Sequence, residues 1–165
     1  PEIDGIINII SISKDSLKDY NDNLYFSIKG FTIKNDTERL KWINPNYDHV
    51  LSLKMNYNDK FMNYLDSFKK GRIEEYLIYY PEDLQLYDEY SNHINNIITK
   101  THNYYVNVNI NKNMDLKDCP FPLIPLIREL HFNYLKTKVK NNFKVVSMYV
   151  RNLPYKRLLF IKNRL

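Results

Sequence analysis

Beyond residue 72 the apolar residues recur with two alternating periods, and no other feature constrains the fold of this chain more strongly. Short runs that are continuously apolar or alternate with period two are typical of strands, whereas apolar residues every three or four positions are typical of helices. The strand-like runs cover 73–80, 104–110 and 143–150, and the helix-like runs cover 81–100, 122–139 and the residues from Pro154 onward. Strands that alternate with helices imply right-handed crossovers. The sequence therefore predicts a mainly parallel sheet over residues 73–165.

The opening 72 residues indicate a β-rich part that adds antiparallel strands at one edge of that sheet. Strand-like runs cover 6–13, 24–34 and 49–55, and helix-like runs cover 36–42 and 58–70. No low-complexity linker separates the two parts of the sequence, and 165 residues suit one compact domain. We therefore predict a single α/β domain over residues 1–165, with a mixed, mainly parallel sheet, helices packed on it and antiparallel N-terminal strands.

The composition indicates a folded, intracellular protein. The chain is 44% hydrophobic and contains 18 Ile, 15 Tyr and 8 Phe, so it can bury a large core. No uncharged apolar run approaches the roughly 20 residues of a membrane helix, and the first residues carry no signal-peptide pattern. The single Cys119 excludes an internal disulfide framework. We expect a protein that is not secreted and that resides in a cytoplasm-like reducing compartment or a virion.

Residue usage is biased towards A- and T-rich codons. The chain has 22 Asn and 18 Lys, but only 3 Gly and no Ala. This bias indicates an AT-rich genome, such as that of a large DNA virus, a malaria-type parasite or a ciliate. Because codon bias alone can account for a single Asn, Lys or Tyr, function has to be argued from groups of residues.

The sequence carries no signature of a common catalytic or metal site. The three glycines stand isolated, which excludes a Gly-rich phosphate loop, and there is no Gly-x-Ser-x-Gly elbow. One cysteine cannot supply a thiolate cluster, and no pair of histidines has a zinc-site spacing. The histidines are His49, His93, His102 and His131. The sequence therefore predicts a protein without catalytic residues, bound metal or cofactor.

One loop keeps chemical alternatives open. Asp115 and Asp118 follow a predicted strand, where paired carboxylates can hold Mg²⁺. Cys119 would be a nucleophile of lowered pKa if it lay at a helix N-terminus. The structural alternatives are carboxylates that solvate the loop or cap the next helix, and a small, inert, half-buried thiol. We favour the structural alternative for all three residues.

Charge is divided unevenly along the chain, and its basic part is the strongest indication of function. The last 47 residues carry ten Lys or Arg and one acid, Glu129, for a net charge of +9, whereas residues 73–118 have a net charge of −5. Tyr134, Tyr149 and Tyr155 are interleaved with the bases, and such a patch can contact phosphates and stack on bases. The predicted binding set is Lys136, Lys138, Lys140, Lys144, Arg151, Lys156, Arg157, Lys162, Arg164 and Tyr155.

The predicted partner of this basic set is an acidic protein surface or nucleic acid. The structural alternatives are a solvated helix face and a patch that docks on the chain's own acids within 73–118. Because the chain has 18 Lys and only 6 Arg, nonspecific charge contact is expected rather than base-specific readout.

Residues 73–165 resemble a STAS-type module, the fold of the anti-sigma-factor antagonists. The order of elements that carries the resemblance is a strand at Tyr104–Ile110, the loop Met114–Cys119, a helix at Leu123–Val139, a strand at Phe143–Val150 and a short helix ending in Asn163-Arg164-Leu165. In that family the loop usually carries an Asp-Ser pair whose Ser can be phosphorylated, and the equivalent here is Asp118-Cys119, which has no hydroxyl. The run Met114–Lys117 is also similar to a loop of the Sec14-like lipid-transfer fold.

These observations favour a non-catalytic protein–protein interaction or assembly module, such as a component of a viral or other multi-protein complex. The alternative is a nonspecific nucleic-acid-binding protein that uses the basic segment, with an affinity that falls steeply with salt. A weaker alternative is a lipid-binding protein, which requires an apolar pocket.

Overall fold

The computed structural model of the protein describes residues 29–34, 39–55 and 57–165. These residues belong to two compact units that divide between residues 55 and 56. The strand predicted over 6–13 and the first part of the strand predicted over 24–34 lie outside the described residues. Within the described ranges, no helix is both long and apolar enough to cross a membrane.

The first unit contains a β-hairpin followed by a helix. Strands β1 (Gly30–Lys34) and β2 (Arg39–Ile43) pair in the antiparallel direction. Helix α1 (Pro45–Leu53) begins after Asn44, whose side-chain oxygen accepts a hydrogen bond from the backbone N–H of Asn46 at 3.0 Å. Proline at the first helical position has no N–H to leave unsatisfied, so the Asn-Pro pair starts a helix here.

The second unit packs shorter helices against one long helix. Its helices are α2 (Lys60–Lys69), α3 (Ile73–Tyr79), α4 (Leu84–Tyr105), α5 (Ile124–Thr137), α6 (Phe143–Arg151) and α7 (Tyr155–Lys162). Short 3₁₀ turns cover 81–83, 116–118 and 121–123, and a π-helical turn at Val106–Ile110 continues α4. Helix α4 contacts α2, α5, α6 and α7. Its Ile94 and Ile98 are buried with Leu130 of α5 and Val146 of α6, so the core surrounds α4.

The predicted α/β fold is wrong, because the described chain is mostly helical and contains no parallel sheet. The segments predicted as strands over 49–55, 73–80, 104–110 and 143–150 are largely helical, and 39–43 is a strand where a helix was predicted over 36–42. A short apolar run cannot be told from the buried face of a helix by periodicity alone. In α6, for example, Val146 and Val150 lie one helical turn apart and are both buried. Asn142 caps this helix by accepting a hydrogen bond from the N–H of Val145 at 3.0 Å.

The STAS-like outline is wrong for the same reason. Its opening strand at Tyr104–Ile110 is the end of α4 with the π-helical turn, and its closing strand at Phe143–Val150 is α6. The Sec14-like outline begins with the same opening strand. Residues 106–109 are all half-buried, so the alternation of valine with asparagine does not mark the two faces of a strand.

Four predicted helices are confirmed, although their ends differ. Those predicted over 58–70, 81–100, 122–139 and from Pro154 onward are α2, α4, α5 and α7. Helix α2 is capped by Asp59 rather than Asn58, because the Asp59 carboxylate accepts a hydrogen bond from the N–H of Phe61 at 2.8 Å. Helix α4 runs beyond Lys100 to Tyr105. This extension brings the π-helical turn beside α5, where the candidate site lies.

Candidate functional site

The predicted basic set divides into side chains that are held internally and side chains that are free. Arg157 belongs to the first group, since its two terminal nitrogens donate to the two carboxylate oxygens of Glu129 at 2.9 and 2.7 Å. The Tyr149 hydroxyl also donates to Glu129. The hydrogen bonds from Arg157 hold the pKa of Glu129 below its usual range, while burial and the bond to Glu129 raise the pKa of Tyr149. The only acid of the last 47 residues therefore fastens α5 to α6 and α7.

Arg151 is held as well. Its Nε donates to the Ser147 hydroxyl at 3.2 Å, and one terminal nitrogen donates to the side-chain oxygen of Asn95 at 3.0 Å. The guanidinium carbon lies 5.1 Å from the centre of the Phe68 ring, within range of a cation–π contact. Arg151 thus connects α6 to α4 and α2, and its charge serves packing within the second unit.

The two C-terminal cations of the predicted set, Lys162 and Arg164, contact aromatic rings. The Lys162 ammonium lies 5.1 Å from the centre of the buried Phe61 ring and 5.6 Å from that of Tyr90. The Arg164 guanidinium lies 4.9 Å from the Phe160 ring. These contacts are made within the second unit, so they reduce what these cations can offer a partner.

Tyr155 does not present its ring to a partner either. Its hydroxyl donates to the buried Asp66 carboxylate at 3.3 Å, and the Lys69 ammonium lies 4.5 Å from its ring centre. Together with the Tyr149 contact to Glu129, this occupies two of the three tyrosines that were predicted to stack on bases. The tyrosines of α6 and α7 therefore belong to the structure of the second unit.

The free side chains are lysines at the connection between α5 and α6. They are Lys136, Lys138, Lys140 and Lys144, all exposed. Within the described residues, none of their side chains has a hydrogen bond, an ion pair or a ring contact. The exposed Lys156 on α7 is free in the same sense. These five residues are the part of the predicted set that remains available to a partner.

The connection that carries the free lysines is fixed by its polar neighbours. The buried Asn141 side chain donates to the carbonyl of Leu130 at 2.7 Å. The Thr137 hydroxyl accepts from the N–H of Val139 at 3.3 Å. Lys138 ends α5 in the left-handed conformation, with φ at 60°, and its N–H donates to the carbonyl of Tyr134 at 2.8 Å. The lysines therefore project from a defined turn.

Large apolar side chains are exposed among these lysines. Phe132, Leu135, Val139 and Phe143 are exposed by 65%, 52%, 56% and 51% of their surface. Arg128 is exposed too, without a side-chain partner among the described residues. It lies one helical turn before Phe132, and Lys136 lies one turn after. We call this surface the α5–α6 corner, defined as Arg128, Phe132, Leu135, Lys136, Lys138, Val139, Lys140, Phe143 and Lys144.

An apolar groove of about 290 Å³ opens beside the corner. Phe132 and Leu135 line it from α5, and Val108 and Asn109 line it from the π-helical turn. Its other lining residues are Leu116, Ile127, Arg128 and His131. The Nδ1 atom of His131 is buried and has no hydrogen-bond partner among the described residues. The groove therefore offers apolar walls and a free guanidinium.

The loop considered for catalysis or metal binding carries a buried thiol and exposed carboxylates. Cys119 is buried, and its pKa is raised by burial and by the nearby Asp118, which is opposite to the shift that activates a thiol. Asp115 pairs with Lys117 at 3.1 Å, and both side chains are exposed. In the described part of the chain, no three His, Cys, Asp or Glu side chains are grouped so as to hold a metal.

No protein-family model matches the chain, and no curated protein or solved structure shows significant similarity to it.

The α5–α6 corner contains four residues of the predicted set together with apolar neighbours that sequence reasoning missed. A signal for two of them was present: Phe132 and Leu135 lie off the stripe of Leu123, Ile127 and Leu130 that α5 buries. Once one helical face is assigned to the core, apolar residues on the other face indicate a contact surface.

Proposed function

We propose that the protein is a non-catalytic interaction module that binds an acidic, amphipathic protein segment through the α5–α6 corner. The observation that carries this proposal is the apolar groove lined by exposed Phe132 and Leu135, with the unpaired Arg128 in its wall and unpaired lysines next to these residues along the chain. Exposed apolar groups that are rimmed by charge are typical of protein interaction sites. The module would act by holding a partner in an assembly.

The groove sets the form of the partner. A volume of about 290 Å³ suits one or two apolar side chains and lies near the lower limit of sites for small organic molecules. Helices commonly bind such grooves with apolar residues spaced by three or four positions. Carboxylates beside those residues would meet Arg128, Lys136 and Lys140, which steers association and selects against basic partners.

Nucleic acid is the second candidate, because two exposed phenylalanines stand among the lysines. Phe132 and Phe143 can stack on unpaired bases, as aromatic rings do in single-strand-binding proteins. The protein partner is favoured because Arg151 and Arg157 are held internally, and the free Arg128 lies on the wall of the apolar groove. Most of the side chains that line this groove are apolar, which suits apolar residues of a protein better than a phosphate backbone.

We place this interaction in a reducing compartment, such as the cytoplasm or a virion. The support is the buried free thiol of Cys119, since a chain with one cysteine has no disulfide to gain from an oxidising environment. Assembly within a multi-protein complex is the biological role that we propose.

Fluorescence anisotropy would test the proposed function. The probe is a labelled helical peptide with leucines every three or four residues among glutamates, and its control replaces the glutamates with glutamine. We expect the acidic peptide to bind wild-type protein more tightly, with an affinity that weakens as salt increases. Phe132→Asp and Lys136→Glu should each abolish most binding. Lys156→Glu, which makes the same charge change at a free lysine outside the corner, should retain it.

Labelled single- and double-stranded oligonucleotides belong in the same titration. Oligonucleotide binding that survives near-physiological salt and is lost in Phe132→Asp, without binding of the acidic peptide, would replace the protein partner with nucleic acid. Equal binding of the acidic and glutamine peptides would contradict the role of the lysines. Failure to bind any probe would contradict the proposed function.

A further inference from the structure

The acidic part of the chain presents a second exposed apolar site, on α3 and the start of α4. Ile78 is 74% exposed and Leu84 is 53% exposed. Glu74 lies one helical turn before Ile78, and Glu82 follows it in the 3₁₀ turn. Asp88 lies one turn after Leu84 on α4. We call this surface the α3–α4 face, defined as Glu74, Ile78, Glu82, Leu84 and Asp88, all of which are exposed.

The acids of this face have no partner in the described part of the chain. Glu74, Glu82 and Asp88 form no side-chain hydrogen bond or ion pair with another described residue. Ion pairs of the second unit include Lys60–Asp83, Lys70–Asp66, Lys117–Asp115 and Arg157–Glu129. None of these pairs joins the α3–α4 face to the α5–α6 corner, so a single copy leaves the acids of one surface and the lysines of the other available.

Buried contacts beneath the α3–α4 face fix the positions of α3 and the start of α4. The Tyr76 hydroxyl donates to the buried Asp83 carboxylate at 2.6 Å, and Lys60 pairs with the same carboxylate at 3.3 Å. The Tyr76 ring stacks on Tyr87 of α4, with centres 4.8 Å apart and planes 6° from parallel. This stack joins α3 to α4 on the buried side, while Ile78 projects from the exposed side.

We propose that the α3–α4 face of one copy of the chain docks on the α5–α6 corner of a second copy, with Ile78 seated in the apolar groove. Residues 73–118 have a net charge of −5 and residues 119–165 a net charge of +9, so the two surfaces attract each other. The α3–α4 face also has the features that the groove selects: a helix, a protruding apolar residue and flanking carboxylates. This inference rests on the proposed function and names its partner.

The symmetry of this contact has a consequence for assembly. Two different surfaces meet in a heterologous contact, and a pair of copies joined by it retains an unused face on one copy and an unused corner on the other. Such a contact adds further copies until the rotation closes a ring, or else continues as a filament. We therefore expect open or ring-shaped oligomers whose size increases with protein concentration, and whose affinity falls with salt because charge contributes.

Sedimentation velocity over a concentration series would test this inference. We expect wild-type protein to form species larger than a dimer at low salt. Ile78→Asp and Phe132→Asp should each raise the concentration required for association by at least tenfold, which corresponds to about 1.4 kcal/mol. Met148→Asp is the matched control, because Met148 is a similarly exposed apolar residue of α6, at 58%, that does not line the groove. It should leave association unchanged.

An equimolar mixture of the two variants gives the decisive result. Ile78→Asp retains an intact corner, and Phe132→Asp retains an intact face, so one contact can form between them. At concentrations where each variant alone is monomeric, the mixture should therefore produce a dimer and nothing larger. Circular dichroism would verify that both variants keep the helical content of wild type. Glu74→Lys combined in trans with Lys136→Glu should likewise associate better than either variant does alone.

The outcomes separate this inference from the proposed function. Wild-type protein that stays monomeric at every concentration would overturn self-association through these surfaces. Single variants that both still assemble, or a mixture of them that does not form a dimer, would overturn it as well. If the acidic peptide still binds the monomer and loses affinity in Phe132→Asp, the corner binds a different protein. If neither self-association nor peptide binding occurs, both proposals fail together.

Discussion

Arginine and lysine residues that look equivalent in the sequence occupy two different environments in the second unit. Three cations of α6 and α7 contact acids, amides and aromatic rings of other helices; they are Arg151, Arg157 and Lys162. Those of the α5–α6 corner, such as Lys136 and Lys140, have exposed side chains without partners among the described residues. Net charge therefore predicts the sign of a segment but not which of its charges a partner can reach.

The difference arises from what each group has beside it. The held cations face groups from distant parts of the chain, such as Glu129 and the Phe61 ring. The corner lysines flank a tight connection whose polar side chains form hydrogen bonds with the backbone rather than with the lysines. The Asn141 side chain, for example, donates to the Leu130 carbonyl. Stability and recognition are thus assigned to different members of one basic segment. Pairs of variants, with one residue taken from each environment, test that division.

The largest difference should be between two phenylalanines. Phe61 is fully buried beneath the Lys162 ammonium, whereas Phe132 is 65% exposed at the corner. Phe61→Ala should lower the free energy of unfolding by about 3–5 kcal/mol, because it removes a buried ring and leaves a cavity. Phe132→Ala should change that free energy by less than about 0.5 kcal/mol. Urea unfolding monitored by circular dichroism measures both, and comparable losses would contradict the division.

A smaller difference should separate two adjacent cations of α7. Arg157→Ala removes the two hydrogen bonds to Glu129 and should cost about 1 kcal/mol, a modest value because the Glu129 side chain is 48% exposed and screened by solvent. Lys156→Ala is the matched control and should be neutral within about 0.5 kcal/mol. Equal effects in urea unfolding would mean that the Arg157–Glu129 pair contributes nothing beyond an ordinary surface charge.

The same pair should make stability depend on pH in one direction. Hydrogen bonds from Arg157 lower the pKa of Glu129 in the folded state. A lowered carboxyl pKa contributes stability above the unfolded value of about 4.3, and that contribution is lost as the pH falls through the folded value. The difference in unfolding free energy between wild type and Glu129→Gln should therefore be constant near pH 7 and shrink below about pH 4. A difference that grows on acidification would contradict this assignment.

Four helices of the second unit could be predicted because their signals extend over more than one turn. In α4, Tyr87, Ile94, Ile97 and Ile98 repeat at helical spacing and are all buried. The wrong strand predictions fell on runs of seven or eight residues, where buried valines in a short helix resemble a buried strand. The segment 143–150 shows this, since Asn142 signalled a helix cap that the apolar run obscured.

The candidate site could be predicted only in part. The lysines near 136–144 were identified from charge alone. The groove could not be predicted, because Val108 and Asn109 reach it through a π-helical turn that no sequence pattern marked. Nor could the sequence show which cations are held, since Glu129 and Arg157 meet only after α5 and α7 have packed. Contacts between residues far apart in the chain decide both questions.

The smallest effect should come from Lys138, where stability and recognition oppose each other. Its φ of 60° is a left-handed conformation that an L-residue other than glycine adopts at a cost. Lys138→Gly should therefore stabilise the second unit by a few tenths of a kcal/mol up to about 1 kcal/mol. The same substitution removes one cation of the corner and should weaken binding of the acidic peptide. Thermal unfolding and peptide titration on one sample would measure both changes.

Lys140→Gly separates the conformational effect from the effect of charge. Lys140 lies in the same connection and is also exposed and free, but within the described chain only Lys112 and Lys138 are non-glycine residues with positive φ. Its replacement should weaken peptide binding to a similar degree without any gain in stability. If Lys140→Gly stabilises the protein as much as Lys138→Gly does, then relief of lysine–lysine repulsion, rather than backbone strain, explains the gain. If Lys138→Gly stabilises the protein and binding is unchanged, then Lys138 does not contribute to the corner's recognition of acids.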